Sequence, residues 1–405
     1  MISLLYNTGI LIYGLAIKIA ALFNNGAALW IAGRKDNINK LVTWRQTVDD
    51  DVVWIHCASH GEYEQGLPFI KLIKQHQPKL KIAITFFSPS GYNAISRNSV
   101  ADWTGYIPLD TKKAASNFVK HMKPTLAIFI KNEWWWNILS ELQKENVPIH
   151  YISSTIRKDH YFIKHKWMPF TKVLERVSTY GTVDQPSSEI YSQYCNANNV
   201  YISGDLRIDR VLEIANKKES IPSLESLNKN KVIIYGSVWE SDVDCINKLI
   251  DSYQEYYHII YPHKLEKENV NKLQVSIKNA TIFKEGNAIG VNKVSILPVM
   301  GQLSSAYQYA SLAYVGGGYG VGIHNVLEAA VYKIPVFTGP NIMKSKEAVE
   351  LRNLGLLYTI YRSDHIQEIT TQPSLELINI ADSYFNSHKG GAILTYNHIF
   401  GESLN

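Results

Sequence analysis

Three clusters in this 405-residue chain carry groups able to do chemistry. The first is Ser59-His60-Gly61-Glu62, directly after the apolar run Val52 to Ser59. Gly61 permits a tight turn, and a carboxylate at Glu62 can act as general base on a hydroxyl within hydrogen-bond reach. The competing reading is that Glu62 only stabilises a helix N-terminus. The second cluster is Lys131-Asn132-Glu133-Trp134-Trp135-Trp136-Asn137. Charged groups followed by three indoles suit sugar faces, lipid headgroups or acyl chains, or else the rings are core and the polar residues a cap. The third runs from Val315 to Ala330, a glycine-rich loop (Gly316, Gly317, Gly318, Gly320, Val321, Gly322) leading through Ile323-His324-Asn325-Val326-Leu327-Glu328 into a helix of VLEAAV character. Glycines let a phosphate approach backbone N–H groups, and Glu328 is placed to accept bonds from a ribose, the layout of a nucleotide-sugar site. The alternative is a loop whose glycines serve packing. Smaller candidates are Ser237, Tyr261-Pro262-His263-Lys264 and Met300-Gly301-Gln302, with His263 and Lys264 able to offer charge to a phosphate.

All of these stand at the ends of short apolar runs. Val52–Ser59, Ile82–Phe87, Leu126–Ile130, Ile149–Ser153 and Val200–Gly204 read as strands separated by helical spacing, the signature of βαβ units and a parallel sheet. After a polar stretch from Asn216 to Asn230, read as a linker, the pattern restarts with Lys231–Ser237, His258–His263, Val294–Val299, Leu312–Gly318 and Ile334–Pro340. Two doubly wound α/β units follow, each expected to bind ligand beyond the carboxyl ends of its strands. The composition agrees: 46% hydrophobic and 19% charged residues exclude a disordered chain, and a net charge of +5 excludes a strongly basic nucleic-acid binder. Three scattered cysteines form neither a disulfide framework nor a zinc site. The apolar stretch Ile2 to Phe23 is long enough for a membrane-associated helix, spanning or interfacial. The basic Arg34 and Lys35 after the run favour keeping that side cytoplasmic, Lys18 and the Asn24-Asn25-Gly26 break argue against a clean span, and a hydrophobic helix packed on the domain is the alternative.

In that order, SHGE, NEWWWN, Gly204 to Asp209 (GDLRID) and VGGG…HNVLEAA resemble the 3-deoxy-D-manno-octulosonic acid (Kdo) transferases of lipid A assembly, over nearly the whole chain. The resemblance implies a GT-B glycosyltransferase: a membrane-associated helix over residues 1–33, an acceptor-binding Rossmann-like domain over 34–212, and a CMP-sugar-binding one over 213–405, facing a cleft, with the last helix free to cross back. It implies transfer of Kdo from CMP-Kdo to lipid IVA with inversion, at the cytoplasmic face of the inner membrane, with no cofactor, metal or nucleic acid. Glu62 falls on the catalytic base. Arg207 and Glu133 are assigned supporting roles, Ser59 and Gly61 the acceptor, and Pro262, His263, Met300, Gly301, Gln302, Asn325, Val326, Leu327 and Glu328 the donor. The chain departs from the family pattern at Lys131, Arg207, His263, Gln302 and Val326, which reads as a divergent branch. Two rivals remain: another GT-B enzyme using a UDP-sugar, such as a lipid A disaccharide synthase, and a non-catalytic lipid or nucleotide-sugar binder on the same scaffold.

Overall fold

The structure, a computed structural model, describes residues 2–95, 100–164, 168–195, 197–284, 289, 293–320, 322–361 and 374–404. Val321 of the glycine loop lies outside them. The chain divides into two units, Met1–Arg210 with Lys389–Asn405, and Val211–His388.

The first unit is built on seven parallel strands: β1 (Val52–Cys57), β2 (Lys81–Phe86), β3 (Trp103–Tyr106), β4 (Leu126–Ile130), β5 (Ile149–Ser154), β6 (Thr179–Thr182) and β7 (Val200–Ile202). Their spatial order is β3-β2-β1-β4-β5-β6-β7. Every residue of β1 is buried, as befits a strand covered by helices on both faces. Register runs from Val53 opposite Leu126 to His56 opposite Phe129. Around the sheet lie helices α1 (Ile2–Ala20), α2 (Asn25–Arg34), α3 (Asn37–Arg45) and α4 (His60–His76). Helix α4 packs close to β4: a Cβ at Gly66 would meet Ile130 Cδ1 at 2.2 Å, so a larger residue there would have to displace that side chain. The last helix, Gly391–Phe400, packs beside α4 in this unit, with Ala392 and Tyr396 in the same core as Tyr63, Phe69 and Leu206.

The second unit repeats the plan with β8 (Val232–Val238), β9 (Tyr257–Pro262), β10 (Thr281–Ile282), β11 (Val294–Ile296), β12 (Leu312–Val315), β13 (Val336–Thr338) and β14 (Leu357–Thr359), all parallel in the order β10-β11-β9-β8-β12-β13-β14. Two expectations change. The stretch 216–230 is not a plain linker, because Ile221 and Leu224 are buried and the Tyr309 hydroxyl accepts the Ile221 N–H at 3.0 Å. The helix after the glycine loop is a single short turn, Leu327–Ala330, followed directly by a turn into β13. Its few N–H groups cannot sum to the dipole of a long helix.

Candidate active site

The first sheet reverses its strand order between β1 and β4, and the second does so between β8 and β12, with β10 and β11 exchanged at its far edge. That is the place where crossover loops part and a crevice opens beyond the carboxyl ends. In the first unit β1 delivers Ser59 to Glu62 there, and β4 delivers Lys131 to Glu133. In the second, β8 delivers Ser237 to Trp239, and β12 the glycine loop.

Ser59 caps α4, its hydroxyl accepting from Glu62 N at 3.4 Å, while Glu62 Oε2 accepts from Ala58 N at 2.5 Å. The serine–glutamate pair is thus a variant of the capping box, so the structural reading of Glu62 holds in part. Capping does not exhaust the group. Burial pushes the Glu62 carboxyl above the usual glutamate range, and the Glu133 carboxylate adds to the rise; Lys131, the Ala58 N–H and His56 oppose it. A base of raised pKa, half-buried beside an open glycine, matches what proton abstraction from a hydroxyl requires. Gly61 is exposed and a Cβ there would meet nothing closer than the Ser59 hydroxyl at 4.0 Å, leaving access to Glu62.

Beneath the two glutamates sits His56 of β1, wholly buried. Its Nδ1 bonds the Thr85 hydroxyl at 2.9 Å, and its Nε2, with no hydrogen-bond partner, stands 3.8 Å from Glu133 Oε2. Lys131 holds a left-handed backbone at φ 63°, storing strain at the end of β4. Three stacked tyrosines brace this loop. Tyr151 donates to the Glu133 carbonyl at 2.9 Å, Tyr191 donates to Asn132 Oδ1 at 3.0 Å, and Tyr180 lies between their rings. The indoles divide: Trp134 is core, Trp135 stacks on Phe87 at 5.2 Å, and Trp136 tilts toward Tyr6 of α1 at 6.2 Å.

The GDLRID stretch is largely structural. Arg207 forks onto the largely buried Asp205, with Nη2 to Oδ2 at 2.6 Å and Nε to Oδ2 at 2.9 Å. Burial works against the Asp205 charge, yet Arg207, with help from Lys131, holds this carboxyl below its usual range. Lys131 therefore acts on both Glu62 and Asp205. Asp209 accepts from Gly390 N at 2.6 Å and Ala392 N at 2.8 Å, capping the last helix.

In the second unit the indole of Trp239 stacks on His263 at 4.2 Å, and His263 on His324 at 4.4 Å. Trp239 Nε1 donates to His324 Nε2 at 2.8 Å. Burial and the neighbouring His263 lower the His324 pKa to about 4, and burial with Lys264 lowers that of His263, so this stack favours neutral imidazoles. The cation there is Lys264, its ammonium 5.3 Å from the Trp239 ring. Trp239, Ser241, Lys264, Leu273 and His324 line a cavity of 530 Å³ with the glycine loop. Buried Asp242 ties its walls together, accepting from Trp239 N at 2.8 Å, Gly317 N at 3.0 Å and Tyr314 Oη at 2.9 Å. Gly316 and Gly318 do serve packing, since a Cβ would meet Ser237 O at 2.4 Å or Gly339 N at 2.6 Å. The loop thus meets both readings: tight against β8 and β13 on one side, bordering the cavity on the other.

Asn325 donates from Nδ2 to Glu328 Oε1 at 3.0 Å, and Ser304 donates to Glu328 Oε2 at 2.6 Å, so the Glu328 carboxylate is held by two neighbours. Val326 and Leu327 are wholly buried and can offer a ligand only backbone. Pro262 ends β9, and His263 N donates to Val238 O at 3.0 Å. Met300 is exposed, Gly301 takes φ 81°, and Gln302 precedes the short helix Leu303–Ala306. Sequence reasoning did not single out His56, Trp239 or Asp242. His56 reads as one more strand residue, and the link from Asp242 to Gly317 spans 75 positions. Among the described residues no three His, Cys, Asp or Glu side chains gather as a metal site.

Residues 34–210 match the family described as 3-deoxy-D-manno-octulosonic-acid transferase (kdotransferase). The chain is 26% identical over 326 residues to a bifunctional glycosyltransferase/methyltransferase of Fusobacterium nucleatum, covering 76% of this chain and spanning half the length of that relative. It is 25% identical over 311 residues to the 3-deoxy-D-manno-octulosonic acid transferase of Haemophilus influenzae, covering 73% of this chain and 72% of that protein. The Rickettsia prowazekii transferase is 23% identical over 357 residues, 85% of this chain and 74% of that one. Among solved structures, a putative UDP-N-acetylglucosamine 2-epimerase from Listeria monocytogenes superimposes with a TM-score of 0.63 at 10% identity, over 87% of this chain and 98% of that one. UDP-GlcNAc 2-epimerase from Neisseria meningitidis, bound to UDP-GlcNAc, gives 0.56 at 13% identity, over 87% and 100%. At such identities the likeness is one of fold, and the fold is GT-B-like.

Proposed function

We propose that this member of the Kdo transferase family, a glycosyltransferase, moves Kdo from CMP-Kdo to lipid IVA at the cytoplasmic face of the inner membrane. The observation that carries the reading is the Glu62 carboxylate, delivered to the β1/β4 reversal with a raised pKa and a second carboxylate beside it.

In this reading Glu62 takes the proton from a sugar hydroxyl of the acceptor as that oxygen attacks the anomeric carbon of Kdo. The bond to CMP breaks on the opposite side, the configuration inverts, and CMP departs with the electron pair. A nucleoside monophosphate leaving group gathers negative charge, which needs N–H donors and cations placed beforehand. The glycine-loop backbone and Lys264 are the groups of the second unit suited to that, with Arg207 a further candidate although Asp205 already occupies part of its fork. This reading assigns the stabilisation of that charge to side chains and backbone rather than to a metal. Asn325 and Glu328, with Pro262, His263 and the Met300-Gly301-Gln302 turn, are assigned the nucleotide; Ser59 and Gly61 border the acceptor hydroxyl.

The test is incubation with CMP-Kdo and lipid IVA, followed by mass spectrometry of the lipid and identification of the nucleotide released. A mass increase by one or more Kdo units with CMP release is expected. Release of UDP from a UDP-sugar instead, the rival suggested by the epimerase-like fold, or donor binding without transfer, overturns the proposal.

A further inference from the structure

We infer that α1 does not cross a bilayer but lies along its surface, docked on the first unit by one face and embedded in anionic lipid by the other. By length and composition the segment Ser3–Ala20 would pass as a span. Its contacts favour the surface instead. Ser3, Tyr6, Asn7, Ile10, Gly14 and Ile17, at helical spacing, form the partly buried face. Tyr6 donates to Asp110 Oδ2 at 2.5 Å, and Asn137 Nδ2 donates to Asn7 Oδ1 at 3.1 Å. Gly14 lies so close to the body that a Cβ would meet Leu109 Cδ2 at 2.6 Å. Asp110 is no incidental partner: wholly buried, it also accepts from Asn137 N and Ile138 N at 2.9 Å, capping the helix Trp136–Lys144 that carries the last indole of the tryptophan run.

From Tyr6 to Gly14 the helix is thus held against the protein for about 12 Å of its axis. The six residues from Leu15 to Ala20 add only about 9 Å, against a hydrocarbon core of about 30 Å. The outward face is a different surface. Leu4, Leu5, Leu11, Ile12, Leu15 and Ile19 are all exposed by more than half, and Leu22 and Phe23 continue the stripe. Beyond Leu29 the exposed large apolar side chains among the described residues, from Ile202 to Leu394, are scattered along the chain, whereas these eight crowd into twenty residues.

The occupant is argued from charge and continuity. Lys18 on the helix, Lys35 at the end of α2 and Lys112 and Lys113, just after the Leu109 and Asp110 that α1 packs on, are exposed, with Asp36 the acidic residue exposed beside Lys35 and Asp110 buried; this cationic excess fits anionic headgroups over acyl chains. From α2, Trp30 meets Phe87 at 5.8 Å and Phe87 stacks on Trp135, two residues from Glu133. An aromatic path therefore joins α2 to the loop that carries Glu133, which suits an acceptor whose sugar is reached from the bilayer surface.

This deepens the membrane part of the reading above and rests on it for its biological setting, but its test needs no substrate. Full-length protein carrying an N-terminal epitope is expressed, and inverted inner-membrane vesicles are treated with protease from outside. The surface orientation predicts that the epitope is destroyed with the body and that alkaline carbonate releases the protein; a protected epitope and carbonate resistance overturn it. Purified protein should bind vesicles of phosphatidylglycerol with phosphatidylethanolamine and bind phosphatidylcholine vesicles more weakly. The double variant Ile12→Glu/Leu15→Glu should lose about tenfold or more of that affinity, with unchanged melting and unchanged transfer to detergent-dispersed acceptor. A stable dimer in solution that binds neither vesicle overturns the proposal in favour of a second copy on this face. Failure of wild-type transfer with vesicle binding intact would instead sink the enzymatic reading alone.

Discussion

Replacing Glu62 by glutamine separates its capping role from its proposed chemistry. The Glu62 Oε2 that accepts the Ala58 N–H at 2.5 Å has an equivalent in a glutamine carbonyl, so the start of α4 keeps its bond. Alanine would orphan that N–H and cost about 1–3 kcal/mol of stability, confounding the result. Glutamine cannot take a proton from the acceptor hydroxyl, and loss of a positioned general base lowers turnover by about 10²–10⁴-fold, or about 2.7–5.5 kcal/mol of transition-state stabilisation. The assay is CMP release under saturating donor and acceptor, with donor affinity measured separately by calorimetry. Donor affinity should be preserved. The sign of the pH dependence follows from the causes of the raised pKa. The base works deprotonated, so kcat/KM falls as the pH drops through the Glu62 pKa, which burial and then Glu133 place above the ordinary glutamate value. Glu133→Gln removes the like charge and should move that acidic limb to lower pH. Lys131→Met removes an opposing cation and should move it to higher pH. A Glu62→Gln enzyme within about threefold of wild type refutes the base assignment. An acidic limb unmoved by both neighbouring variants refutes the electrostatic account.

Asp242→Ala strands three donors in or beside the second core and should lower the unfolding free energy of its unit by about 3–5 kcal/mol, read by urea titration. A loss below about 1 kcal/mol would show that the glycine loop holds its shape without that carboxylate. Trp239→Leu removes the ring that His263 and His324 stack on, and should weaken CMP-Kdo binding by about 2–10-fold while leaving thermal stability nearly unchanged. Asp209→Ala frees the N-terminus of helix Gly391–Phe400, at about 0.5–2 kcal/mol, and should speed amide exchange in residues 391–400 ahead of the rest of the first unit.

Local pattern was enough for the central strands. VVWIHC, LAIFI and IHYIS are continuous apolar runs that only a doubly covered parallel strand uses, and they are β1, β4 and most of β5. The strands that went unread, WTGY, TYGT, TI and LYT, are short, and most carry glycine or polar residues or stand at a sheet edge, where burial no longer writes a period into the sequence. The many tyrosines had no assignment from composition; in the folded chain Tyr151, Tyr180, Tyr191, Tyr235 and Tyr314 are core residues whose hydroxyls bond the site loops or a buried partner.

By itself the sequence determined that two parallel α/β units exist and that polar groups collect where their strands end. It also determined that Glu62 follows one such strand and Glu133 another. These are matters of adjacency along the chain, where periodicity and turn chemistry speak. Which strand ends share a crevice depends on strand order, and nothing local encodes that β1 lies beside β4 or β8 beside β12. Tertiary structure alone decided that His56 faces Glu133, that Arg207 forks onto Asp205, and that Asp242 joins a helix entry to a loop 75 residues away. It also decided which face of the apolar N-terminal helix packs on the first unit. Hydropathy reports that Ile2–Ala20 is greasy enough to enter lipid, but only the buried Asp110 beneath Tyr6 reports which face is already taken. A carboxylate removed from water must find its donors wherever the fold brings them, and that search is a three-dimensional one.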